Sequence, residues 1–123
     1  MKRAIFTFYN LSLDTDIVRL QAEVVKKFNT TAEFIPLLSK THGEEVIHPD
    51  AVDYGFHQLF VEEKYDTVLL LDVDCIPLNA YALEYTFEQA EKGKLIGNVQ
   101  RGMHLDNDEH NYVAPSAFCL TRQ

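Results

Sequence analysis

The run Thr67-Val68-Leu69-Leu70-Leu71 narrows what this chain can become more than any other feature. It lacks the apolar–polar alternation of a strand with one wet face. A strand that is apolar on both sides must be covered on both sides, which is the position of a central strand in a parallel sheet between helical layers. The run is far too short to cross a bilayer. It ends abruptly at Asp72-Val73-Asp74, followed by Cys75-Ile76-Pro77.

The flanking sequence supplies the partners for such a strand. Residues 2–8 hold β-formers (Ile5, Phe6, Thr7, Phe8) and read as a first strand. Ser12 or Asp14 can cap a following helix, in which Leu13, Ile17, Leu20, Val24 and Phe28 recur at three- and four-residue steps. A second strand spans residues 32–38, and Pro36 within it points to an edge or a strand end. After a polar loop over 39–49, a helix starts near Pro49 or Asp50 and runs to Glu62, with Val52, Phe56, Leu59 and Phe60 as its apolar stripe. Asn79 caps a helix over 80–92 that gathers Leu83, Phe87 and Ala90 on one face, and Gly93 suits its left-handed stop. Strands over 95–99 and 112–120, the latter with Pro115, enclose a second polar loop.

The order β-α-β-α-β-α-β-β, without repeats or linkers, predicts one α/β domain over residues 1–123. The expected architecture is a three-layer sandwich with a mostly parallel central sheet. A net charge of −8 argues against general nucleic-acid affinity, which needs a basic face. An acidic protein that handles an anionic nucleotide needs a local remedy, and a divalent metal is one. Cys75 and Cys119 read as buried free thiols, with no zinc-like Cys/His spacing and nothing that requires an oxidising compartment. The start Met1-Lys2-Arg3-Ala4-Ile5-Phe6 reads as a strand and not a signal peptide, so the expectation is a cytoplasmic protein without a membrane span.

Asp72 and Asp74 stand at the carboxyl end of the most apolar strand, the edge where open α/β sheets bind ligands. Residues two apart on a strand share a side, so both carboxylates can aim at one point. Two such charges repel unless a cation lies between them, and hard oxygen ligands beside a phosphate suit Mn2+ or Mg2+. The blander alternative is a strand that simply ends in two solvated acids.

The segment Tyr65-Asp66-Thr67-Val68-Leu69-Leu70-Leu71-Asp72-Val73-Asp74-Cys75-Ile76-Pro77-Leu78 resembles the Asp-x-Asp region of GT-A-fold (nucleotide-diphospho-sugar) glycosyltransferases. There too an amphipathic helix precedes the strand and a Pro follows it. Gly97-Asn98 and the strand over 112–120 resemble the next segment, with Ala114-Pro115-Ser116 where the family often has Asn-Ser/Ala-Gly. The resemblance implies a GT-A-like, Rossmann-like nucleotide-sugar-binding fold, minimal or truncated, that transfers a sugar from a UDP or GDP donor. It implies Asp74 as direct metal ligand and Asp72 as a contact to ribose or metal-bound water. It further implies Thr7, Phe8 and Tyr9 facing base and ribose, with Tyr9 able to stack on the base and Asn10 a weaker candidate. The acceptor is a glycan, protein or small molecule. A third metal ligand and, in inverting members, a catalytic Asp or Glu are expected C-terminal to the matching region, supplied by further chain or by a partner, including a second copy in a homo-oligomer.

Two other readings use the same residues. One is a nucleotide-sugar-binding module without catalysis. The other is a haloacid dehalogenase-like phosphatase, against which Cys75-Ile76-Pro77 stands where a small pair such as Gly-Thr is expected. The loop with His104, Asp106, Asp108 and His110 reads either as a metal or acceptor site or as a solvated loop. Arg101 could clamp a phosphate or pair with an acid. His42, His48 and His57 share no spacing, and His57 is expected to make a helix-surface contact near Asp53.

Overall fold

A computed structural model describes residues 1–9, 15–28, 31–38, 40–41, 44–45, 48–72, 75–77, 79–101 and 111–122. Its strands are β1 (Arg3–Tyr9), β2 (Ala32–Leu38), β3 (Lys40–Thr41), β4 (Glu44–Glu45), β5 (Thr67–Leu71), β6 (Ile96–Arg101) and β7 (Asn111–Thr121). Its helices are α1 (Thr15–Phe28), α2 (His48–His57), which runs on as a π-helical turn over Gln58–Glu62, and α3 (Ala80–Glu91). The expected order of main elements holds, with the short β3–β4 hairpin added inside the first polar loop.

The main sheet has the order β2-β1-β5-β7-β6. β2 and β5 both pair parallel to β1, whereas β7 pairs antiparallel to β5 and to β6. The sheet is therefore mixed, a correction to the expectation of a mostly parallel ladder. Strand direction is closer to that expectation, because only β7 opposes the other four. β7 is the next described element after β6, and it lies antiparallel between β6 and β5.

β5 is buried along its whole length, as its composition requires. On one face Ile5, Leu69 and Leu71 pack with Val25 of α1, Leu83, Phe87 and Ala90 of α3, and Cys119. On the other, Ala4, Phe6, Val68 and Leu70 pack with Leu59 and Tyr65, backed by Val52, Phe56 and Phe60. Helices thus cover both faces, and each fully enclosed Leu, Val or Phe contributes about 1.5–3 kcal/mol. β2 lies at the sheet edge, where Pro36 is tolerated. Asn79 caps α3 by accepting the Ala82 amide at 2.8 Å, and Gly93 takes φ +86° just beyond the helix.

The face of α1 differs from expectation. Gln21 and Val25 are buried, while Ile17 and Leu20 are 40% and 54% exposed. The stripe in contact with the sheet is rotated by about one residue and carries an amide in its middle.

Two further features hold the layers in place. Arg3, at the start of β1, donates to Glu91 at 2.6 and 2.8 Å, to Glu84 at 3.1 Å and to Thr31 at 2.9 Å, and lies over the Phe87 ring. Hydrogen bonding to Glu91 raises the Arg3 guanidinium pKa against the opposing effect of burial. The same bond holds the Glu91 carboxyl below its ordinary value of 4.5. Gly55 of α2 lies against β1: a Cβ there would come within 2.5 Å of the buried Phe6 ring and 2.8 Å of the Phe8 ring.

Two outcomes follow for stability. Gly55→Ala gains roughly 1 kcal/mol of helix propensity, but overlap with an enclosed ring costs about 1–3 kcal/mol. Net destabilisation in urea unfolding is therefore expected, and a more stable variant would contradict this packing. Arg3→Met removes the charge and keeps the stem, and should lose roughly 2 kcal/mol at neutral pH, less than a fully enclosed pair. Because the folded Glu91 pKa is depressed, the unfolded chain binds the proton more readily. The stabilisation is complete above 4.5 and lost as pH falls through the lower folded value. The stability gap between wild type and Arg3→Met should shrink in acid, and a constant gap would argue against the pair.

Candidate ligand site at the carboxyl edge of the sheet

The sheet order sets the position of the site. From β1 the chain crosses by α1 to β2 on one side, and later enters β5 on the other side of β1. The gap between β1 and β5 is thus a topological switch point, and in open α/β sheets ligands bind outside the carboxyl ends of the strands at such a point. β1 and β5 are paired from Arg3↔Thr67 to Phe6↔Leu70 and no further. Beyond that register β1 stays with β2 as far as Tyr9↔Leu38, and β5 stays with β7 as far as Leu71↔Ala117. The two strands part, and the ends that carry Thr7–Tyr9 and Asp72 border the opening.

Thr7, Tyr9 and Asp72 therefore come to one edge. Thr7 is fully buried, and its Oγ1 has no hydrogen-bond partner among the described residues. Alternation puts Thr7 on the α1–α3 face with Ile5, and Tyr9, half-buried, on the same side. Phe8 points to the opposite face, where it packs partly buried against the cluster of Phe6, Leu59 and Leu70, its ring 5.4 Å from that of Phe6. Asp72 is half-buried at the end of β5. Asp74 and Asn10 lie outside the described residues.

The sequence reading missed the residue that fixes this edge. Gln21 of α1, 1% exposed, donates through Nε2 to the carbonyl of Asp72 at 2.6 Å and to that of Cys75 at 2.7 Å. The Cys75 amide also donates to the Asp72 carbonyl, at 2.8 Å. Both partners of Gln21 are acceptors only, so its NH2 must face them. Its Oε1 is left buried without a partner among the described residues, like Thr7 Oγ1. The signal in the sequence was the alternative spacing Val18, Gln21, Val25, Phe28, less apolar than the stripe beside it.

An apolar cleft of about 200 Å³ opens beside the same edge, between α3 and the sheet, lined by residues including Leu71, Ile76, Pro77, Leu83, Ile96 and Ala117. Its walls offer little to an anion, so it is not where a diphosphate would rest. The β6–β7 ribbon continues past the end of β5: residues Asn98–Arg101 pair with Ala114–Asn111 alone, after a register shift at Gly97/Asn98. His42, His104, Asp106, Asp108 and His110 lie outside the described residues, as do the side chains of His48 and Arg101. His57 is exposed and lies 3.5 Å from Glu62, not paired with Asp53 as expected.

Cys119 is enclosed, its thiol pKa pushed up to about 12 chiefly by burial, and Cys75 is half-buried. Among the described residues no group of three or more His, Cys, Asp or Glu could hold a metal ion, and no helix is long and apolar enough to cross a membrane. No protein-family model and no curated protein matches this sequence.

Proposed function

We propose that this chain binds a nucleoside diphosphate sugar of the UDP or GDP type as the donor-binding part of a metal-dependent, GT-A-like glycosyltransferase. The observation that carries the reading is the convergence of Thr7, Tyr9 and Asp72 at the switch point between β1 and β5. Ligand binding at that crevice is a general property of such sheets.

In this reading Asp74 binds Mn2+ or Mg2+ directly, and Asp72 takes a ribose hydroxyl or a metal-bound water. Oxygen-only donors at a strand end fit a hard divalent cation. When bound, the metal offsets the charge of the diphosphate and makes it a better leaving group. The remaining work falls to the protein. The Thr7 hydroxyl, buried and unpartnered among the described residues, suits a ribose hydroxyl or a polar base edge. The Tyr9 ring stacks on the base. Partial enclosure of Asp72 between β5 and Gln21 excludes some water from its carboxylate and strengthens its interactions.

Titration calorimetry with UDP and with GDP tests the reading. Binding is expected in the presence of Mn2+, with weak or no binding in its absence, and Asp74→Ala should abolish the metal-dependent part. Asp72→Ala should weaken it. Equal affinity in wild type and Asp74→Ala would remove the metal site from the account. Incubation with UDP- or GDP-sugars in Mn2+ then separates turnover from binding alone.

A further inference from the structure

The ladder between β1 and β5 stops at Phe6↔Leu70. Thr7 is the next residue of β1, and alternation sets its side chain with Ile5 on the face that α1 covers. Gln21 comes to the same face from α1 and ends on the carbonyl of Asp72, the residue that follows Leu71. The two side chains are 0% and 1% exposed. Each holds a buried oxygen without a hydrogen-bond partner among the described residues, Thr7 Oγ1 and Gln21 Oε1. We propose that these two oxygens hold one internal water, which ties β1 to α1 and, through the Gln21 amide, to the end of β5. The bridge falls where the strands stop pairing with each other.

The chemistry of the two atoms selects the ligand. Gln21 Nε2 is committed to the carbonyls of Asp72 and Cys75, so the opposite end of the amide can only accept. The Thr7 hydroxyl can donate or accept. Water can donate to Gln21 Oε1 and still accept from or donate to Thr7, and it is small enough for a site that both side chains close to solvent. Internal waters occur in this setting, bonded to buried polar groups that the chain itself does not satisfy. Two orphaned oxygens would instead each bear the full cost of lost hydration, and a valine at position 7 would fill the same volume without it. This inference does not depend on the nucleotide reading above: a donor that reached Thr7 would take the place of this water.

The sample for the test is the protein free of nucleotide and metal. A crystal structure locates internal waters, and oxygen-17 relaxation dispersion of the solvent counts the long-lived ones. In the wild type a water is expected within hydrogen-bond reach of both Thr7 Oγ1 and Gln21 Oε1. Thr7→Val keeps the shape of the side chain and removes the hydroxyl. It should hold one long-lived water fewer than wild type. It should also melt at a lower temperature, because Gln21 Oε1 is then left buried without a donor. Thr7→Ser retains the hydroxyl and should keep the wild-type water count. An unchanged count in Thr7→Val overturns the inference, as does a higher melting temperature, the mark of a hydroxyl that had no partner to lose. A wild-type structure in which protein groups satisfy both oxygens overturns it too, and that structure decides alone should Thr7→Val fail to fold.

Discussion

Burial of β5 on both faces is the constraint on which the rest of the structure depends. A strand of this composition cannot sit at a wet surface, so it requires β1 and β7 on its two edges and helices above and below. Leu69 and Leu71 look toward α1 and α3, and Val68 and Leu70 toward the π-helical turn. Because the strand is enclosed, the first polar side chain after it is pressed out at the sheet's carboxyl edge. Asp72 is there as a consequence of the apolar residues before it.

Polar groups hold the strand at both ends. At its start, Thr67 lies 3.5 Å from the Glu91 carboxylate that Arg3 engages, which ties β1, β5 and α3 together at the amino edge. At its finish, Gln21 ties α1 to the backbone carbonyls of Asp72 and Cys75. The two clamps differ in kind. The first is an ion pair at a partly screened edge and depends on pH. The second is a neutral amide enclosed by the fold and does not titrate.

Much of the fold was legible because its determinants are local. Asn79, Gly93 and the Leu83–Phe87–Ala90 face define α3 within one short stretch, and Thr67 to Leu71 could only be a covered strand. Pro36, read as the mark of an edge or a strand end, lies within the edge strand β2. The direction of β7 was not legible: an apolar segment carries no information about which strand it will join, and its place between β5 and β6 is settled by long-range pairing. The face of α1 was misread because Leu20 is more apolar than Gln21. The fold chose the amide, whose partners are backbone carbonyls that no residue pattern reveals. Of the candidate site, Asp72 was singled out by its position at the end of an apolar strand and Thr7 by the family resemblance, and the sheet order brings both to one edge. Phe8 was placed beside them by the same resemblance, although alternation along β1 sends its ring to the other face.

The central claim is that a divalent cation binds at the carboxyl edge, where β1 and β5 part. Titration of isotopically labelled protein with Mn2+, followed by nuclear magnetic resonance, tests it directly, since the bound ion broadens only the amide signals near it. The account predicts selective loss of signals from Thr7 to Tyr9, from Asp72 and Cys75, and from Gln21. Signals from Arg3, Thr67 and Glu91 at the opposite edge should persist. Broadening centred on the amino edge, or spread evenly over the acidic surface, would contradict it.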